Sequence, residues 1–98
     1  MPLLPKPQIT VYKTDQCRAC PAFVASIVTA LEEADLTADV DFVQQVPPYK
    51  DTQGISIDIV PTTVVSYKGK IVMSYPGVTS PSNIIDDIEQ IFARYPSA

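Results

Sequence analysis

The chain has 98 residues, 46% of them hydrophobic and 18% charged, and a net charge of −4 at pH 7. That composition fits one compact domain rather than a disordered chain, and no apolar run approaches the roughly 20 residues of a membrane span. No basic stripe is present to meet a nucleic acid, and the lack of histidine excludes imidazole acid–base catalysis and Cys₂His₂ metal sites. An acidic surface instead favours a partner with a basic rim.

The opening Met1-Pro2-Leu3-Leu4-Pro5-Lys6-Pro7 is too short and too proline-rich for the apolar core of a secretory signal. Residues 1–7 read as a lead-in to a single domain over 1–98, and a cytoplasmic setting is the expectation. Gln8–Tyr12 alternates and carries β-branched and aromatic residues, which predicts a strand. Lys13–Gln16 is a loop. From Cys17 the period changes: Cys20, Phe23, Val24, Ile27, Val28 and Leu31 fall on one helical face.

The two cysteines of the chain stand in Cys17-Arg18-Ala19-Cys20-Pro21, where the strand pattern gives way to the helical one. Free backbone N–H groups and the dipole at a helix start favour a thiolate. A second thiol one turn further on can close a disulfide with the first. Cys20 belongs to the buried face and Cys17 to the exposed mouth, the asymmetry that an attacking and a resolving thiol require. Three plainer readings stand beside this one: Cys17 as an inert surface thiol, Cys20 as a small buried hydrophobe, and a structural disulfide without turnover.

Ala38–Val43 alternates again, Val40 and Phe42 against Asp39 and Asp41, and predicts a second strand. Strand, helix and strand in so short a span make a right-handed parallel unit. Residues 44–59 are the least regular part, opening on Pro47-Pro48, with a short helix expected over Tyr49–Gln53 before Gly54. Pro61–Tyr67 and Lys70–Tyr75 are β-rich runs joined by Lys68-Gly69, a hairpin signal. Ser80 is a good N-cap with Pro81 at the first helical position. Ile84, Ile85, Ile88, Ile91, Phe92 and Tyr95 then repeat a helical face, with Asp86, Asp87, Glu89 and Arg94 expected on the solvated side. Tyr12, Tyr49, Tyr67 and Tyr75 read as packing or rim residues. Packed as one mixed four-stranded sheet in the order 2-1-3-4, the first strand lies centrally and helices are expected on both faces.

With these residues in hand, the chain resembles the thioredoxin/glutaredoxin superfamily in its minimal, glutaredoxin-sized form. The likeness rests on Cys17-Arg18-Ala19-Cys20-Pro21 after a strand, on Ile59-Val60-Pro61-Thr62 opening the third strand, and on the hairpin Val64–Ile71 with Gly77 beyond it. It departs from the family at Gln16, where thioredoxins carry tryptophan, and at Val11, where their buried acid falls. Tyr75-Pro76-Gly77-Val78-Thr79-Ser80 lacks the acids that help glutaredoxins hold glutathione.

The resemblance implies an α/β thioredoxin fold and a thiol–disulfide oxidoreductase in which Cys17 attacks and Cys20 resolves. Arg18 and Ala19 would tune the potential. Val60, before a cis Pro61, would pair with a substrate strand, and Gly77 would admit its backbone. On residues alone, Pro61 can equally be an ordinary strand-opening proline and Gly77 a simple turn glycine. No bound cofactor is implied; electrons would come from a flavin-dependent, NADPH-using, thioredoxin-reductase-like protein or from glutathione. The expected partners are disulfide-bearing proteins, ribonucleotide reductase among them, met by a monomer with no nucleic acid and no membrane. The alternatives are a metal or iron–sulfur redoxin, which would need a Cys₄ site across a dimer, and a non-catalytic interaction domain.

Overall fold

The computed structural model describes residues 6–50 and 52–94. The expectations for the start of the lead-in and for Tyr95 lie outside the described residues. At the end of the lead-in, Pro7 is buried, and its carbonyl accepts the Asp41 N–H at 3.0 Å.

The elements run in the order β1 (Gln8–Tyr12), α1 (Cys20–Glu33), a 3₁₀ turn (Thr37–Asp39), β2 (Asp41–Gln45), β3 (Thr62–Tyr67), β4 (Lys70–Pro76) and α2 (Pro81–Arg94). They form a mixed four-stranded sheet in the order β2-β1-β3-β4. β1 pairs parallel with β2, Ile9 opposite Phe42, and antiparallel with β3, Ile9 opposite Val65 and Val11 opposite Thr63. The strand order is the one the sequence predicts. Lys68 and Gly69 carry φ of 52° and 76°, the positive pair that a two-residue hairpin between twisted strands requires.

Several boundaries differ from the sequence reading. α1 starts at Cys20 rather than Cys17, because Pro21 fits only the first turn and Ala19 is the N-cap. The second strand opens at Asp41, not Ala38. α1 ends in a Schellman closure that sets this shift. Asp35 sits at φ 58°, its N–H donates to the Glu32 carbonyl at 3.1 Å, and the Leu36 N–H donates to the Leu31 carbonyl at 2.9 Å. The chain then needs the 3₁₀ turn to come level with β1. The short helix expected over Tyr49–Gln53 does not form at Tyr49, Lys50, Thr52 or Gln53. The Lys50 N–H bonds the Gln45 side chain at 2.7 Å instead.

The expected placement of helices on both faces is also corrected. Ile9, Val11 and Val65 form one core with Phe23, Ile27 and Leu31 of α1 and Ile84, Ile88 and Ile91 of α2. Side chains alternate across a strand, so both helices cover the face that Val11 and Thr63 share. Val24 and Val28, predicted to join the stripe, sit at its margin; Val28 is 38% exposed. The other face carries Gln8, Thr10, Tyr12, Val64 and Ser66. Residues 46–50 and 52–59 lie against it as an irregular strap. The Tyr49 ring meets Tyr12 edge-on, with centroids 5.2 Å apart, and its hydroxyl donates to the Lys13 carbonyl at 2.8 Å. Between strap and sheet lies a groove of about 540 Å³ lined by Gln8, Thr10, Gln45, Gln53 and Val64.

Tyr75 ties β4 to α2. Its hydroxyl donates to the Asp87 carboxylate, so Asp87 is not simply the solvated acid that helix periodicity predicts. Burial, then that hydrogen bond, then the charges of Asp87 and Asp86 push the Tyr75 pKa up from 10.0 to about 12. The folded chain keeps this proton where the unfolded chain loses it. The contribution is therefore complete below about pH 10 and is lost as pH rises towards 12.

Two stability measurements follow from this packing. Ile27→Ala empties a fully buried site under α1 and should cost about 2–5 kcal/mol in urea unfolding at constant slope. Tyr75→Phe should cost about 1 kcal/mol near neutral pH. Its deficit against the parent should then close between about pH 10 and 12; a deficit unchanged across that range contradicts the Tyr75–Asp87 link.

Candidate functional site

The C-terminal end of β1, the first turn of α1, the start of β3 and the end of β4 meet at one edge of the sheet. β1 ends at Tyr12, which pairs with Thr62, and Thr62 pairs with Pro76. Pro61 and Gly77 therefore flank this edge, and the Gly77 N–H donates to the Pro61 carbonyl at 2.7 Å. The Val60–Pro61 peptide bond is cis.

The chain leaves β1 through Lys13 and makes a tight turn, the Cys17 N–H donating to the Thr14 carbonyl at 3.2 Å. That turn brings Cys17 back over the helix it precedes. Cys17 and Cys20 are joined as a disulfide with Cα atoms 5.4 Å apart. Cys20 heads the buried stripe of α1 and is 2% exposed, whereas Cys17 is only half-buried. Arg18 and Ala19 between them are exposed.

The start of α1 has no side-chain cap and no acid in its first turn. Its positive dipole end is thus not neutralised locally, and the Cys17 sulfur lies beside it. Lys13 donates its ammonium to the Gln44 side chain at 2.6 Å, which directs it towards β2. Arg18 is the cation that stands between the two cysteines in the sequence, and it is exposed.

Val60 is half-buried and Pro61 buried. Gly77 adopts φ +81°, a conformation side chains disfavour, and the nearest atom to an added Cβ is Ile59 Cγ2 at 3.9 Å. Ile59 is 54% exposed and Val78 63%. The sequence reading missed these two apolar side chains beside Pro61 and Gly77. Their signal was present: each is an aliphatic residue in a Pro/Gly loop with no strand or helix face to join.

The sequence reading also missed Thr63. It is fully buried on the helix-covered face, and its hydroxyl has no hydrogen-bond partner. Its period-two relation to Val65 would have found it, since a residue two before a core valine shares that valine's face. Among the described residues no three His, Cys, Asp or Glu side chains are grouped to hold a metal. No described helix is long and apolar enough to cross a membrane.

No family model matches the chain, and no curated protein matches it by sequence. Solved structures do. Thioredoxin-2 of a malaria parasite superposes with a TM-score of 0.72 at 10% identity, over 91% of this chain and 86% of that one. Thioredoxin 1 of Thermosipho africanus gives 0.68 at 22% identity, over 92% and 99%. A thioredoxin-like protein of Bacillus cereus gives 0.68 at 17% identity, over 88% of each chain. Likeness at these identities speaks for architecture: the chain has the thioredoxin fold, and its disulfide sits at the mouth of the first helix.

Proposed function

We propose that this protein is a dithiol–disulfide oxidoreductase that reduces disulfides in other proteins. One observation carries the reading: a Cys17–Cys20 disulfide at an uncapped helix start, with one sulfur reachable from solvent and the other in the core.

The reduced protein begins the cycle. The Cys17 thiolate attacks one sulfur of the substrate disulfide, the substrate S–S bond breaks, and the other substrate sulfur leaves as a thiolate. Cys20, once deprotonated, attacks Cys17 Sγ in the mixed disulfide. The second substrate sulfur departs and the Cys17–Cys20 bond forms. Two electrons pass from the protein to the substrate. A dithiol supplied by a flavin-dependent, NADPH-using reductase, or a pair of glutathione thiols, returns them.

Substrate recognition is assigned to the rim. The exposed side chains of Ile59 and Val78, beside Pro61 and Gly77, offer apolar surface to a substrate. The backbone at Val60 offers a short edge for an extended substrate strand, and Gly77 leaves room for it. Arg18 next to Cys17 favours the thiolate over the thiol.

Cys17→Ser should abolish reduction of insulin disulfides under a thiol-recycling system. Cys20→Ser should halt at a mixed disulfide, seen as an adduct by mass spectrometry. Normal turnover in either variant ends this proposal. Ile59→Asp and Val78→Asp should raise KM for a protein disulfide about five- to tenfold and leave reduction of a small aromatic disulfide unchanged. An equal loss on both substrates would remove the rim from recognition.

A further inference from the structure

Thr63 stands two residues past Pro61, in the end of β3 that pairs with the C-terminal end of β1, from which the chain leads into α1. β3 runs antiparallel to β1, and Thr63 stands opposite Val11 near the end of β1 from which the chain leaves for α1. On its other side it stands opposite Tyr75. Val11 offers no polar atom, and the Tyr75 hydroxyl is already given to Asp87. Thr63 shares its face with Val65, which packs under both helices. Cys20, in the first turn of α1, is the buried sulfur-bearing residue of that layer and is 2% exposed.

Thr63 Oγ1 is buried and has no hydrogen-bond partner. A hydroxyl left so in a core opposes folding, and natural cores seldom keep one without a reason. In the oxidised protein the sulfur of Cys20 is bonded to Cys17. It has no hydrogen to donate and, as a disulfide sulfur, is a poor acceptor. Reduction changes that. Opening the S–S bond makes Cys20 a thiol that can donate, or a thiolate that can accept strongly.

We infer that the Thr63 hydroxyl is the hydrogen-bond partner of the Cys20 sulfur in the reduced protein, and that its lack of a partner in the oxidised protein biases the chain towards the dithiol. Thr63 acts through Cys20 and is a positioning residue. The inference rests on the dithiol cycle proposed above. It sets the strength of that cycle: by disfavouring the disulfide state the hydroxyl makes the dithiol a milder reductant, which gives its electrons only to the more readily reduced substrate disulfides. At the resolving step the same hydroxyl holds the Cys20 thiolate.

The test is the equilibrium with glutathione at fixed pH. Two glutathione thiols reduce the Cys17–Cys20 bond and leave as glutathione disulfide. Thr63→Val keeps the shape and removes the hydroxyl. It should lower the equilibrium constant for reduction of the protein about tenfold. Thr63→Ala should shift it in the same direction, and Thr63→Ser should restore it. Urea midpoints give an independent reading on each form. Thr63→Val should stabilise the oxidised protein relative to the reduced one, whereas a purely structural role would move both alike. An unchanged equilibrium constant, or equal shifts of the two midpoints, overturns the inference. Insulin reduction by the unaltered protein is read separately. If it is absent while the Thr63 effect holds, the proposed activity fails and the Thr63–Cys20 link stands.

Discussion

Cys20 belongs to two structures at once. It is the first residue of the stripe that glues α1 to the sheet, continued by Phe23, Ile27 and Leu31, and it is half of the disulfide. Because the stripe is buried, the position of the Cys20 sulfur is set by core packing rather than by loop conformation. Cys17 has no such anchor. It is held by a turn to Thr14 and by the covalent bond itself. When that bond opens, the fixed sulfur stays in the core and the reachable one is released at the surface. The order of roles in the proposed cycle follows from this difference.

The one-sided arrangement of helices places the rest. α1 and α2 both start at the sulfur-bearing edge of the sheet and both pack on the Val11 face. That face is covered: Val11, Thr63 and Val65 are fully buried. The opposite face has a strap held by side-chain contacts, Tyr49 on Tyr12, Gln45 on Lys50 and Gln53 on the Gly69 carbonyl. Thr10 and Val64 on this face are buried all the same, at 3% and 4% exposure, and Pro47 and Pro48 remove two backbone donors where a helix would begin. The strap then leads directly into Ile59, Val60 and Pro61, so the rim of the site is the end of an irregular segment resting on a regular one.

Much of this was readable in the residues. Gln8–Tyr12, the hairpin at Lys68-Gly69 and the isoleucine stripe of α2 declared themselves by period and turn chemistry, and with them the strand order. The spacing of Cys17 and Cys20 at a strand-to-helix change pointed to the disulfide at the helix mouth. What failed did so where tertiary geometry overrides local pattern. Ala38 and Asp39 alternate like strand residues, but the Schellman closure at Asp35 leaves them short of β1, so they coil. Asp87 reads as solvent-facing until β4 brings the Tyr75 hydroxyl to it from outside its own helix. Helices on both faces was a general expectation for an α/β sheet, and it fails only once residues 46–50 and 52–59 are seen to form an irregular strap. Ile59 and Val78 join no strand or helix period; only their place in a Pro/Gly loop marks them, and their exposure beside Pro61 and Gly77 is seen only in the fold.

The acidic character of the chain can be reconciled with a thiolate by asking where the acids lie. Glu32, Glu33, Asp35, Asp39 and Asp41 gather around the C-terminal end of α1 and the start of β2. Negative charge in the last turn of a helix opposes the dipole and costs some stability, and no basic residue there offsets it. A 14-residue helix is about 21 Å long. That is two or more screening lengths at physiological salt, where the Debye length is about 8 Å. At the sulfur-bearing end the first turn of α1 holds no acid, Arg18 lies between the cysteines, and Asp15 is the opposing charge in the approach loop. The net charge therefore says little about the field at Cys17. An acidic protein can keep its densest group of carboxylates away from that mouth because its fold puts most of one helix between them.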